Sequence, residues 1–247
     1  MEKNPESRRA SAHGASHIGH TREKNEDHWV ILDHIPFFAV ADGIGGHSAG
    51  EIASQETIAH LEQSLETLYH SLLPDELTHE NLSLILKKAI KNANSWIHHL
   101  GNQEVQKEGM GTTLACGLLH DNALIYGHVG DSRLYHFNEE LKLLTDDHIK
   151  PKEGPTKPSK SLRAPHVLTK AIGPNKHVIP DIGIHPLNLE DTYLFCSDGL
   201  SDYVSEKQIS DILKTDHSLE TKNEALISAA LAGGGRDNIT CVLFKPN

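Results

Sequence analysis

Cysteine is scarce in this 247-residue chain: Cys116, Cys196 and Cys241 are odd in number and far apart. They describe neither a disulfide framework nor a CxxC metal site, and they suit a reducing compartment. All three fall in strand-like apolar stretches and read as inert core thiols. Long apolar runs are missing too, and none approaches the ~18 residues of a membrane-spanning helix. The opening segment, MEKNPESRRASAHGASH, has basic residues but no apolar core, unlike a secretory signal. These absences lead to the expectation of a cytoplasmic chain without membrane association.

Positive charge is also in deficit. Lys and Arg number 23 against 34 Asp and Glu, a net charge of −11 with histidine neutral. Such a surface repels phosphate backbones and anionic lipid, which disfavours nucleic-acid and membrane-surface binding. Histidine is abundant by contrast, with 19 residues, enough to reverse the sign of the net charge in acid. His13, His17 and His20 would share one face of a helix, as in a zinc site, but Gly14, Gly19 and the strand context argue against one.

The length suits one large domain, or at most two small ones, and no internal repeat is visible. Residues 1–11 are polar and are expected to form a flexible tail. Short β-rich runs at 29–32 and 37–41 read as strands, the second ending abruptly in Asp42-Gly-Ile-Gly-Gly46. Ile58, Leu61, Leu65 and Leu68, then Leu82 through Leu100 after Pro74, repeat at three and four, which predicts two helices with one buried face each. Strand signals return at 113–119 and 123–126 around a hairpin-like turn. The second of these is expected to run on through 130–133 into 134–137, with another strand near 141–144. Residues 146–166 carry four prolines and few large apolar side chains, predicting an exposed loop. A buried strand at 192–196, helices over 206–214 and 220–232, and a last strand at 239–244 complete the chain. This order reads as α+β, with helices packed outside antiparallel sheets.

The acids carry the chemistry. Apolar strands run directly into Asp42 and Asp198; Asp131 interrupts a strand; Asp237 precedes the last one. Glu26 and Asp27 precede the first of the β-rich runs, and Asp202 follows Asp198 by four residues. Any one strand-end acid is an ordinary turn former. Seven gathered at one end of a core would repel one another unless cations sat between them. Oxygen ligands, nearby glycines and no Cys–His set point to hard cations, Mg²⁺ or Mn²⁺. A two-metal site of that kind supports hydrolysis at phosphorus, and Arg22 could hold phosphoryl oxygens bidentately. On spacing alone the chain reads as a metal-dependent phosphoester hydrolase.

The strings GHTREKNED, AVADGIGGHSAGE, GMGTTL, VGDSR, LTKAIG, CSDGLSD and GGGRDN, in that order, resemble the metal-dependent Ser/Thr protein phosphatases of type 2C (the PPM family), in their bacterial stand-alone form. The resemblance implies a four-layer αββα sandwich, two antiparallel sheets flanked by helix pairs, as a single domain over 12–247 with a short flap at about 146–167. It implies that Asp42 bridges two metals, that the Gly43 carbonyl completes the second, and that Asp198 and Asp237 finish the first. Glu26 and Asp27 would act on the second metal mainly through water, and Asp131 with Asp202 would form a weaker third site. Arg22 would grip the substrate phosphate and Asn238 would orient Asp237. The implied reaction is in-line attack by a metal-bridging hydroxide on phosphoserine or phosphothreonine of proteins, opposing a Ser/Thr kinase, by a chain acting as a monomer.

Two features depart from the family pattern. The histidine that eukaryotic members carry two residues past the bridging Asp is Ile44 here. His47 is then the candidate general acid, with turn packing as its alternative role and a metal-bound or third-site water as the alternative proton source. The flap is short and rich in Pro and Lys; Lys150, Lys152, Lys157 and Lys160 either attract acidic phosphopeptides or form a solvated loop. Two other readings keep the fold: a phosphatase of a small phosphoester, and a non-catalytic pseudophosphatase scaffold.

Overall fold

The apolar run 37–41 becomes the hub of the molecule because both of its faces are covered. It forms β3 (Phe37–Ile44), paired with β2 (Asp27–Leu32) on one side and β5 (Leu114–His120) on the other. Side chains alternate along a strand, so Phe37, Ala39 and Ala41 pack beneath the helices α1 (Ala49–Tyr69) and α2 (His79–Gly101). Phe38 and Val40 point the other way, into a second sheet. The computed structural model describes residues 10–45, 49–104, 107, 109–152 and 161–247.

The sheet around β3 has the order β11–β6–β5–β3–β2, with β6 (Ala123–Val129) and β11 (Asp181–Pro186), and the two-residue β4 (Gly111–Thr112) pairs with β3 off that path. The second sheet runs β1–β13–β12–β7–β8: β1 (Ala10–His17), β13 (Ile239–Pro246), β12 (Thr192–Cys196), β7 (Arg133–Asn138) and β8 (Glu140–Leu143). Every ladder is antiparallel. On the far face of this sheet lie the one-turn α3 (Asp198–Ser201), α4 (Glu206–Leu213) and α5 (Leu219–Gly233), closing over Leu194, Cys196, Cys241 and Leu243. Phe38, Tyr193, Phe195, Val242 and Phe244 fill the space between the sheets, with Phe244 stacked on Phe38 at 4.4 Å and on Tyr193 at 4.7 Å. The result is the αββα sandwich that the sequence led us to expect. The three cysteines are free and buried.

Three expectations are revised. The strand β1 starts at Ala10, inside the stretch expected as a tail; residues 1–9 lie outside the described part. His13 and His17 belong to this strand, in keeping with the strand context that argued against a shared helix face. The strand expected to run through 130–133 is broken: Gly130–Ser132 carry the chain from one sheet to the other, since β6 and β7 belong to different sheets. Gly130 takes φ +105°, and a Cβ there would lie 2.7 Å from Thr113, so the crossing needs glycine. Finally, the segment expected as a plain loop contains a ribbon, β9 (Ile149–Pro151) paired with β10 (His166–Leu168). Residues 153–160, with Lys157 and Lys160, lie outside the described part; Lys150 and Lys152 are exposed on the ribbon side.

Candidate metal centre

Antiparallel pairing places the ends of alternate strands together, and the acids stand at those ends. Asp27 opens β2 directly across from Asp42 near the end of β3. In the other sheet Cys196 pairs with Cys241, so Asp198, just past β12, and Asp237, just before β13, emerge side by side. Cys196 also pairs with Arg133, which brings Asp131 to the same end. A hydrogen bond between side chains ties the two sheets here: Ser197 Oγ donates to Asp27 Oδ2 at 2.8 Å.

The backbone of Asp42 is braced on both sides. Its N–H donates to Thr113 Oγ1 at 3.1 Å, and its carbonyl accepts from Thr113 N–H at 2.9 Å and Thr112 Oγ1 at 2.8 Å. Thr113 Oγ1 lies 2.6 Å from Ser132 Oγ, next to Asp131. The Asn238 side chain organises the preceding loop: it accepts from Glu26 N–H at 2.8 Å and donates to the carbonyls of Ile18 and Lys24, each at 2.9 Å. Its backbone N–H donates to Asp237 Oδ1 at 2.8 Å. Gly43 N–H donates to the Glu26 carbonyl at 3.1 Å, and a Cβ on Gly50 would run into Glu26 Oε2, so the first turn of α1 closes over that carboxylate. Arg22 Nη2 donates to Asp237 Oδ2 at 2.7 Å. His47 lies outside the described residues.

The carboxylates are electrostatically incompatible on their own. Burial, then the charges of Asp27, Asp198, Asp237 and Asp131, push Asp42 well above the usual carboxylate range. Burial, then Asp131, Asp237 and Asp202, do the same to Asp198, with Arg163 opposing. Burial carries Asp27 up to about 6 against the hydrogen bonds that favour its ionised form, and burial also raises Glu26. Burial works against the Arg22 guanidinium, but Asp237, Asp42 and Glu26 outweigh it and raise its pKa.

A second cluster lies beside the first and contains a residue that sequence reasoning missed. Arg163, from the flap, reaches Asp131 Oδ2 at 3.1 Å, Asp202 Oδ1 at 2.9 Å and Asp147 Oδ2 at 3.5 Å, and donates to Ser201 Oγ at 3.2 Å. His166 Nε2 is 2.9 Å from Asp131 Oδ2, and that hydrogen bond holds the imidazole above its usual pKa. Asp131, His166 and Asp198 offer ligand atoms all within 4.8 Å of one another. No local pattern announces Arg163; its place depends on how the flap folds back.

These residues fit divalent cations. Asp27 Oδ1 is buried and has no hydrogen-bond partner, so an acceptor is left over that a metal or its water shell would satisfy. The neighbouring acids that act on it, Asp42 and Asp237, offer oxygen, the donor that hard cations prefer.

The family model described as protein phosphatase 2C matches residues 13–233. The chain belongs to the protein phosphatase 2C family. It is 34% identical over 239 residues to the serine/threonine phosphatase stp of Listeria welshimeri, covering 93% of each chain, and 33% identical to the protein phosphatase PhpP of Streptococcus pneumoniae, covering 93% of this chain and 95% of that one. Among solved structures, the catalytic domain of the serine/threonine protein phosphatase PstP, in complex with two manganese ions, superposes with a TM-score of 0.79 at 32% identity, over 96% of this chain and 98% of that one. In this 2C-family chain Arg133 is structural. It grips Asp147 bidentately at 3.0 and 2.7 Å, which holds that carboxyl below its usual pKa in spite of burial, and so roots the flap. No helix among the described residues is long and apolar enough to cross a membrane.

Proposed function

We propose that this 2C-family protein phosphatase hydrolyses phosphoserine and phosphothreonine in proteins with divalent cations, Mn²⁺ or Mg²⁺, held by its strand-end acids. The observation that carries the reading is the group of mutually repelling carboxylates, Asp27, Asp42, Asp198 and Asp237, beside the partly exposed Arg22. In this reading Asp42, the Gly43 carbonyl, Asp198 and Asp237 hold two cations, and Glu26 and Asp27 act through water. Asp131 and Asp202 serve a third. When bound, such cations supply water ionised at neutral pH and a positive field for the phosphoryl oxygens.

The chain's own residues do the rest. Arg22 is anchored through one Nη on Asp237, which leaves the remaining guanidinium donors to take phosphoryl oxygens as charge builds on them. Thr112 and Thr113 keep Asp42 from shifting as charge moves past it. His47 is the candidate that hands a proton to the departing Ser or Thr oxygen.

The reaction reverses a Ser/Thr kinase, and we place such a kinase opposite this enzyme. A monomeric cytoplasmic enzyme completes the reading, and three buried free cysteines suit a reducing compartment. The test is to compare kcat/KM for a phosphothreonine peptide and a nucleoside monophosphate, both with Mn²⁺. A preference for the peptide of about a hundredfold or more supports the reading, and the reverse order supports a small-phosphoester enzyme.

A further inference from the structure

Three motifs of the sequence meet at one residue that no step above uses. His148, at the root of the flap, clasps Gly130, the residue before Asp131, from both sides: its backbone N–H donates to the Gly130 carbonyl at 2.8 Å, and Gly130 N–H donates to His148 Nδ1 at 3.0 Å. Thr169 N–H, from LTKAIG, donates to the His148 carbonyl at 2.7 Å. On the other ring edge, Nε2 lies 3.0 Å from Asp181 Oδ2, and the Lys170 ammonium lies 2.9 Å from Asp181 Oδ1.

The geometry allows one tautomer. A backbone N–H can only donate, so Nδ1 is an unprotonated acceptor and the ring proton sits on Nε2, directed at Asp181 Oδ2; the Lys170 ammonium, 3.0 Å from Nε2 and itself only a donor, is then held by Asp181 Oδ1 and not by the ring. The same reasoning removes a rival reading. His128, His148 and Asp181 offer ligand atoms within 4.8 Å of one another. A neutral histidine bound to metal through Nε2 carries its proton on Nδ1, where it would meet the Gly130 N–H head on. Lys170 already supplies the local positive charge, 3.0 Å from Nε2. His128, 1% exposed and with both ring nitrogens unpartnered, stacks on the His148 ring at 4.8 Å, and burial pushes it down to about 4, so it is a neutral platform.

We propose that His148, locked as its Nε2–H tautomer by Asp181, is a positioning residue that fixes the Gly130–Asp131 backbone and thereby the carboxylate offered to the third cation. This rests on the reading of Asp131 as a ligand of that cation. It joins LTKAIG and the Asp147-His148 pair in one support, in which Arg133 holds Asp147, His148 holds Gly130, and Lys170 orients Asp181.

Two measurements test it. In the metal-free full chain, the nitrogen-resolved imidazole spectrum of His148 should show a protonated Nε2 and an unprotonated Nδ1; a proton on Nδ1 overturns the proposal without reference to activity. In the second, phosphate release is titrated with Mn²⁺ for His148→Ala, Asp181→Leu and Asp181→Asn. The first two should raise the Mn²⁺ concentration for half-maximal turnover about tenfold, as loss of groups behind a metal ligand does, while kcat at saturating Mn²⁺ stays near wild type. Asp181→Asn keeps an oxygen for the Nε2–H and should titrate like wild type. Asp181 is half exposed, so its variants remain informative if His148→Ala fails to fold. Wild-type Mn²⁺ dependence in Asp181→Leu contradicts the proposal, whereas an inactive wild type would count against the phosphatase reading and leave the tautomer measurement standing.

Discussion

Asp27 and Asp42 face each other across the β2–β3 ladder, a placement that costs stability when both are ionised. Raised folded-state pKa values mean that the native state holds protons the unfolded chain has released. The metal-free protein should therefore lose stability as pH rises from the ordinary carboxylate range, near 4, through the folded value of Asp27 at about 6 and beyond, because Asp27, Asp42 and Asp198 together outweigh His128, whose lowered value acts in the opposite sense. Thermal unfolding in EDTA should show Tm falling over that interval. Mn²⁺ at about a hundred times its Kd should add about 2.7 kcal/mol, with the larger Tm gain at pH 7.5 than at pH 5. A metal-free Tm that climbs from pH 5 to 7.5 would contradict this.

Arg22 is the residue assigned to hold phosphate. Arg22→Ala should lower kcat/KM about ten- to a hundredfold, the value of about 1.5–3 kcal/mol for hydrogen bonds to a charged group. Arg22→Lys should recover only part of it, because an ammonium cannot span Asp237 and two phosphoryl oxygens. Steady-state kinetics on a phosphothreonine peptide decides the matter, and unchanged values in Arg22→Ala would remove it from the site.

Strands covered on both faces were the legible part of this fold. Runs such as Phe37–Ala41 and Tyr193–Cys196 are apolar throughout because a helix layer lies on one face and the second sheet on the other. The acids that follow them, Asp42 and Asp198, stood out for that reason. β1 and β11 were illegible because they are edge strands with half-exposed, mixed sequences, ASAHGASH and DIGIHP. Arg163 and His166 were illegible for another reason. Their meeting with Asp131 is a long-range consequence of the flap's path, which no local spacing encodes.

Thr113 links Asp42 to Ser132 from a site 1% exposed. Thr113→Val keeps the shape but leaves the Asp42 N–H and the Ser132 hydroxyl without their partner. The expected loss is about 1–3 kcal/mol, read as a lower denaturation midpoint with an unchanged m-value, together with reduced turnover. Wild-type stability in this variant would show that the brace is not needed.

Gly117 lies under side chains of both sheets: a Cβ there would be 2.6 Å from Leu124 Cδ1 and 2.9 Å from Phe195 Cζ. Gly117→Ala should destabilise the fold by about 1–3 kcal/mol through overpacking. Because this position is remote from the acids, the variant's kcat below its Tm should match wild type, a contrast with Thr113→Val that calorimetry and kinetics together would reveal.

The central claim is that the strand-end acids hold the cations on which hydrolysis depends. Its most direct test is phosphate release from a phosphothreonine peptide by the wild type, Asp42→Asn and Asp198→Asn, each with Mn²⁺ and with EDTA, with Mn²⁺ binding followed by calorimetry. The account predicts turnover in the wild type with Mn²⁺ alone, abolished by EDTA, and loss of both turnover and tight Mn²⁺ binding in each variant. Turnover that survives EDTA, or variants that bind Mn²⁺ and hydrolyse the peptide as the wild type does, would contradict it.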